Sequence, residues 1–470
     1  MPSILGANSV SGYDISNSLR FGGNTRLTRE FDQDPTGNRK TFTVSCWVKR
    51  SAITSNQTVL SASTSNNFND KVIGFRSSYD QIEVNNVASG SDALQIITNR
   101  AFRDTSAWYH IVVAIDTTES AIANGVKFYV NGVRDTDFDG TPVYNQNATF
   151  ELGRSGSTTA IGMLQVNSSQ FFNGYMTEFH FIDGAQKAET DFGEFDDNGV
   201  WIPKKYSGTY GDNGFFLEFL NSGNPGVDTS GNSQTFAVSN FTAQDNTTDT
   251  CTNNFCTLNP LHNFRNNPTY SEGNTKAVFA DSGNGASPLS TFAVNSGKWY
   301  WEAKFVQTSD PGHGAIAVGI VDADKYNVDA GADEYFDRFD FGFSYNTDGK
   351  KKSNNSAANF GDEFNNGDII GVAVDFDNRQ IYFSKNGTFQ DSGDPTSGGT
   401  GTGSAFNFAA ATYYFAVYAY QDENSWELNY GNAPHAISSS NADANGHGNF
   451  EYAVPSGYFA LCTKNLGEHG

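Results

Sequence analysis

The sequence predicts an all-β protein made of two antiparallel β-sandwiches, and three observations carry that expectation. Charged residues fill only 17% of the 470 positions, against roughly 25% in ordinary globular chains. Phe and Tyr number 39 and 21 while Met numbers 3, a mixture that favours strands over helices. The third observation is a hairpin written twice, at 113–132 (VAIDTTESAIANGVKFYVNG) and at 374–390 (VDFDNRQIYFSKNGTFQ). Each crosses a polar gap into an alternating strand that ends in Asn-Gly. Alternation marks a half-buried strand, and Asn-Gly tolerates the positive φ that a type I′ turn needs at both central positions. The length suffices for two or three domains, each with its own core.

In the first half, alternating segments at 18–23, 41–50, 71–77, 108–116, 126–132, 149–155 and 175–183 each end in turn residues. Their spacing reads as a sandwich of two sheets, of the jelly-roll kind. One helical segment is expected at 185–195. Residues 221–234 (NSGNPGVDTSGNSQ) have no apolar period, so a Gly/Ser/Asn-rich linker is expected over 221–258, between domains at 1–220 and 259–470. Strand patterns resume at 298–305, 315–322, 340–346, 368–376, 380–387, 413–420 and 426–431. Residues 391–404 (DSGDPTSGGTGTGS) read as a mobile low-complexity loop. Trp47, Trp108, Trp299, Trp301 and Trp426 sit in strand patterns and are expected in the cores. Trp201 lies outside any alternation and is expected to pin the linker or to form a subunit contact.

The net charge of −23 argues against nucleic acid as a partner, because neutralising phosphates needs clustered Lys and Arg. It leaves divalent cations open. No window approaches 18 apolar residues, so no membrane span is expected. The opening MPSILGANSVSGYD lacks a basic stretch and an apolar core, so no secretory signal is expected. Among the four cysteines, Cys46 reads as a small buried hydrophobe. Cys251 and Cys256 stand as free thiols by default, with a short disulfide or a zinc site with His262 as alternatives; the zinc set lacks a fourth ligand.

No enzyme is expected. A glycanase needs two carboxylates facing each other across a sugar, and the nearest pattern is Glu30-Phe31-Asp32-Gln33-Asp34, just before Pro35-Thr36-Gly37. That context reads as a solvated acidic loop. No Gly-x-Ser-x-Gly elbow, Gly-rich phosphate loop or metal-spaced histidines occur. Calcium is the one cofactor left open: Asp135, Asp137 and Asp139, followed by Gly140, resemble the start of a calcium loop, although Gln146 stands where a bidentate Glu would close it.

Several ordered segments carry a family resemblance. FTVSCWVK, WYHIVVAID, KFYVNG, FELGRS and FFNGYMTEFHFID, across 18–185, resemble a laminin-G-like domain of the concanavalin A type, a fold that often carries calcium at its rim. YWEAKF, AVGI, residues 367–387 and ELNYG, across 290–435, resemble a SPRY domain, with Trp426 standing at a position that family fills with a smaller apolar residue. In a SPRY domain the inter-strand loops build the ligand surface, which makes Asp333, Tyr335, Phe336 and Asp337 the candidate ligand contacts. The joining segments GEFDDNGVWIPKKYSGTYGDNGFFLEF and DTCTNNFCTLNPL are similar to virion proteins of marine tailed phages. That resemblance implies assembly in the host cytoplasm, release by lysis, and a place on the particle surface as tail fibre, knob or capsid decoration. The expected partners are other virion proteins and a host glycan or envelope, with the protein oligomeric in the particle. Two other readings remain: a purely architectural virion protein, and, more weakly, a glycan hydrolase.

Overall fold

The computed structural model describes residues 12–31, 38–262, 268–279, 287–307, 316–326, 335–419 and 424–470. The chain divides into two compact units, Asn8–Thr252 and Asn253–Gly470.

The first unit opens with β1 (Ser18–Phe21), β2 (Arg26–Glu30), β3 (Thr41–Arg50), β4 (Gln57–Ser65), β5 (Phe68–Phe75), β6 (Gln81–Ala88) and β7 (Ser91–Ala101). It continues with β8 (Trp108–Asp116), β9 (Val126–Val130), β10 (Val133–Asp135), β11 (Val143–Tyr144), β12 (Thr158–Ile161) and β13 (Gly174–Asp183). Short strands follow: β14 (Gly193–Phe195), β15 (Trp201–Pro203), β16 (Phe215–Leu217), β17 (Ala237–Ser239) and β18 (Asn246–Thr247). One antiparallel sheet runs β10-β9-β8-β3-β13-β1-β18, with β16 also on β13, and the other runs β11-β7-β6-β5-β4-β12-β2-β17. The core between them follows from alternation. Phe42, Val44, Cys46 and Val48 of β3 and Ile111, Val113 and Ile115 of β8 face inward to meet Val72, Val84, Leu94 and Ile96 of the other sheet.

Strand β13 shows why parity matters. Met176, Phe179 and Phe181 all join the core, a change from even to odd that a regular strand cannot make. A β-bulge between Thr177 and His180 supplies the extra residue, and Glu178 takes a φ of 49° there.

The second unit contains β19 (Thr269–Ser271), β20 (Lys276–Val278), β21 (Leu289–Val294), β22 (Lys298–Val306), β23 (Ile316–Asp322), β24 (Gly342–Asn346), β25 (Lys350–Ser353) and β26 (Ser356–Asn359). After these come β27 (Ile369–Asp375), β28 (Gln380–Lys385), β29 (Thr388–Phe389), β30 (Phe406–Asn407), β31 (Tyr413–Ala419), β32 (Ser425–Asn429) and β33 (Phe459–Ala460). Its sheets run β19-β20-β32-β22-β27-β28-β29 and β21-β31-β23-β24-β25-β26. Trp299, Trp301 and Trp426 fill its core at 0% exposure. Both Asn-Gly pairs make the expected turns, with φ of 48° and 74° at Asn131-Gly132 and of 47° and 81° at Asn386-Gly387. They close the hairpins β9–β10 and β28–β29.

Several expectations are corrected. Residues 149–155 form no strand; the amides of Glu151 and Leu152 donate to Asp70 Oδ2 at 2.6 and 2.8 Å instead of to a neighbouring strand. Residues 185–195 are not a helix but a 3₁₀ turn (Glu189–Asp191) followed by β14. Residues 391–404 are tied down, with Asp394 Oδ1 accepting from the Thr396 amide and hydroxyl and Tyr458 donating to the Pro395 carbonyl.

The largest correction concerns the linker at 221–258. Its residues up to Thr252 belong to the first unit: β17 pairs with β2 and β18 with β1. Asp249 then seals the arrangement. Its carboxylate binds Lys49 Nζ at 2.7 Å and accepts from Trp108 Nε1 at 3.2 Å, with both charged side chains at 1% exposure or less. The remaining residues, Asn253 onward, belong to the second unit, where Cys256 and Leu258 enter the core. Polarity misled the reading, because the apolar faces here are supplied by β3, β8 and β13 and not by the covering segment.

Removing one partner of a buried ion pair strands the other charge, at a cost of about 3–5 kcal/mol. D249A is therefore expected to destabilise the first unit by about that amount, read as a fall in the denaturant midpoint of the full chain. A linker residue would change it by less than about 0.5 kcal/mol.

Candidate functional site

Two clusters in the first unit look catalytic until their hydrogen bonds are assigned. Ser45 Oγ lies 2.8 Å from His110 Nε2, the distance of a nucleophile and its base. On the other side of the ring, however, Trp201 Nε1 lies 2.9 Å from His110 Nδ1, and an indole N–H can only donate. Nδ1 must therefore accept, the ring proton sits on Nε2, and His110 donates to Ser45. The pair cannot take a proton from the serine in this state. His110 stacks against both Trp47 and Trp201, and burial, with the neighbouring His180 as a smaller cause, holds its pKa down to about 3.

The second cluster surrounds the bulge. Glu178 Oε2 accepts from Tyr13 at 2.9 Å and lies 3.5 Å from His180 Nε2, while His180 Nδ1 meets the Tyr210 hydroxyl at 3.0 Å. Phe216 stacks on His180 at 4.1 Å. Carboxylate, imidazole and phenol are all engaged with one another beneath the segment that follows β13.

The sequence-predicted residues scatter. Asp135 pairs with Arg100 at 3.3 Å, Asp137 accepts from Asn99 at 2.6 Å, and Asp139 accepts from Gln81 at 3.4 Å. The segment runs beside β7, with amide bonds from Asn99 to Asp137 and from Asp139 to Ile97. Each of the three carboxylates is thus taken by a different protein side chain, Arg100, Asn99 or Gln81, instead of turning toward one shared ion as a calcium loop requires. Among the described residues, no group of three or more His, Cys, Asp or Glu is placed to hold a metal. None of the four cysteines, all of them described residues, is in a disulfide. Glu30 is exposed at the end of β2, while Asp32 and Asp34 lie outside the described residues.

In the second unit, Asp333 lies outside the described residues. Phe336 and Asp337 are both at 0% exposure, against the expectation of a ligand-facing loop. Asp337 Oδ2 accepts from Ser344 at 2.6 Å and Tyr418 at 2.9 Å, and Lys352 lies 3.3 Å from Oδ1. The carboxylate fastens this loop over the outer face of its sheet. Tyr335 alone stays half exposed, stacked on Tyr418 at 4.4 Å with Arg338 over its other face.

What the scaffold presents to solvent is elsewhere. Tyr79 is 69% exposed at the β5–β6 turn, with a φ of 65° followed by 55° at Asp80. Asp80 holds that conformation: its carboxylate accepts from the Thr54 amide at 2.7 Å, the buried Arg50 at 3.2 Å and Arg103 at 3.2 Å. The result is an aromatic ring on a turn fixed from below. A tyrosine amid turn residues (RSSYDQ) was the available signal, and the sequence reading passed over it. In the second unit, a cleft of about 620 Å³ is lined by residues of 359–362 and 388–392.

Comparison with known proteins agrees with this architecture. Residues 21–190 match the family model of the concanavalin A-like lectin/glucanases superfamily (laminin G type), and residues 298–432 match that of the SPRY domain. The chain thus carries a concanavalin A-like domain followed by a SPRY domain. The SPRY domain of human HERC1 is 20% identical and is matched over 33% of this chain and 86% of that chain, with a TM-score of 0.26. A heptameric SAP-like pentraxin from Limulus polyphemus is 17% identical over 37% of this chain and 80% of that one, with a TM-score of 0.28. A stretch of 98 residues is 38% identical to the ATP-dependent RNA helicase DDX1 of Xenopus laevis, which is 21% of this chain and only 12% of that protein.

Two buried groups give opposite pH slopes. His110 has a folded pKa of about 3 against roughly 6.5 unfolded. Its contribution is complete above about 6.5 and is lost as pH falls from there toward 3. Burial pushes the Asp70 carboxyl up to about 7 against hydrogen bonds from Asn86 and two backbone amides, so it gains stability as pH falls from about 7 toward 4. H110Q keeps an acceptor for Trp201 and a donor for Ser45 but cannot titrate. Between pH 7 and pH 5, H110Q is expected to lose about 2 kcal/mol less stability than wild type, measured by denaturant titration at each pH.

Proposed function

We propose that this chain is a non-enzymatic binding protein of a phage virion, displayed as tail fibre, knob or capsid decoration, whose sandwich rims contact a host glycan or envelope. The observation that carries the binding reading is Tyr79, a largely exposed ring on a turn fixed by buried Arg50 and by Asp80. A rigid aromatic stacks on a sugar face at little entropic cost. The two groups that mimic catalytic machinery, around His110 and His180, are occupied by their own neighbours. The virion setting is supported by the joining segments quoted above and by the chain's net charge of −23 and its 48 glycines.

A glycan array and host-cell capture, read with the full chain, test this proposal. Saturable binding is expected, and Y79A should weaken it about tenfold, as loss of one stacking contact predicts, without moving the unfolding midpoint. Release of reducing ends from a bound glycan, abolished by E30Q, would contradict the non-enzymatic reading. Binding unchanged in Y79A would remove that turn from the site.

A further inference from the structure

The second unit's two sheets both end at one flank of the sandwich. There β26 is the last strand of one sheet and β29 the last strand of the other, and the cleft is lined by residues from the ends of both. All four residues of β26, Ser356-Ala357-Ala358-Asn359, are exposed. The β25–β26 hairpin turns through Asn354 and Asn355, with φ of 52° and 54°, and pairs Ser353 with Ser356, Lys352 with Ala357, Lys351 with Ala358 and Lys350 with Asn359. In a two-residue hairpin the pair flanking the turn exchanges hydrogen bonds, and bonded pairs then alternate with unbonded ones. Ser356 and Ala358 are therefore bonded to β25, while the N–H and C=O of Ala357 and Asn359 point away from the sheet. Among the described residues, no loop or turn hydrogen bond reaches either group.

The side chains around this edge have a sign. The lysines of β25 are already engaged: Lys350 with Asp348, Lys352 with Asp337 and Lys351 with the Ala405 carbonyl. Asp362 and Asp391 line the cleft and are exposed, and neither forms an ion pair among the described residues. The floor is rigid, because Gln390 is buried, accepts from the Asp362 amide at 2.8 Å and donates to the Thr388 carbonyl at 2.8 Å. An unpaired strand edge invites an added strand, and two uncompensated carboxylates beside it favour cationic side chains.

We propose that β26 is a docking edge for an extended basic segment of a partner protein, which adds as a strand along Ala357 and Asn359 and lays Lys or Arg side chains over Asp362 and Asp391. This surface stands independently of the Tyr79 site. Strand addition supplies backbone bonds of any sequence, while the carboxylates select charge.

The test is calorimetric titration of the full chain with a nine-residue peptide alternating Val and Arg, and with the same peptide carrying Glu in place of Arg. The Arg peptide is expected to bind at least tenfold more tightly than the Glu peptide. A357P removes an outward N–H without touching the β25 ladder, and it should weaken the Arg peptide at least tenfold. The double variant D362N/D391N, confined to exposed side chains, should bring the two peptides together in affinity. Equal binding of the two peptides by wild type, or unchanged binding by a folded A357P, would overturn the proposal. Concentration-dependent dimerisation of the chain alone, lost in A357P, would assign the edge to a second copy and overturn it equally.

Discussion

Each unit of this protein depends on buried carboxylates that fasten a later stretch of chain across the outer face of a sheet. In the first unit the sheet face carrying Trp47, Lys49, Trp108 and Tyr175 is too apolar in its rings and too charged at Lys49 to stand bare. Asp249 answers both, neutralising Lys49 and taking the Trp108 N–H. Arg20 is met in the same way by Asp245. In the second unit Glu302 accepts from Tyr300, Asn429 and the amides of Glu451 and Tyr452. Burial pushes its carboxyl up while those four donors pull against it. Asp443 gathers the Ala460 amide and the Asn465 side chain, and Asp337 fastens the loop over the opposite sheet. A buried charge persists only where its partners are supplied, so each latch fixes both the segment and its register.

These latches shape what the molecule can do. Outer sheet faces that could have offered broad binding surfaces are covered from within the chain. The imidazoles of His110 and His180 and the carboxylate of Glu178 are buried beneath the covers and held by their neighbours. Recognition is then left to turns, strand ends and edges, which is where Tyr79 and the flank at β26 stand.

The alternating strands β3, β8, β13, β22, β27, β28 and β31 were legible in the sequence almost to the residue, and so were both Asn-Gly turns. Their inward faces are aliphatic or aromatic, which is the one signal period-two patterning reads well. Strands β6 and β7 were not legible, because QIEVNNVA and SDALQIITNRA break alternation with Asn, Asp and Gln paired across the ladder, as Asn85 with Asp92 and Gln95 with Glu83. The bulge at Glu178 was written in the parity switch from Met176 to Phe179. The candidate sites fared worse. Asp337 and Asp249 carry the same side chain as a solvated loop acid, and only tertiary pairing with Lys352 or Lys49 makes them structural. The linker reading failed for the same reason, since a covering segment needs few apolar residues of its own.

Hydrogen–deuterium exchange of the full chain tests this account most directly, by comparing amides at 237–252 with those of β3 and β13. A latched cover exchanges only when the first unit opens, so the account predicts that residues 246–252 are protected to within about tenfold of β3 and β13. Exchange of that segment at the rate of an unstructured peptide, with β3 and β13 still protected, would contradict it.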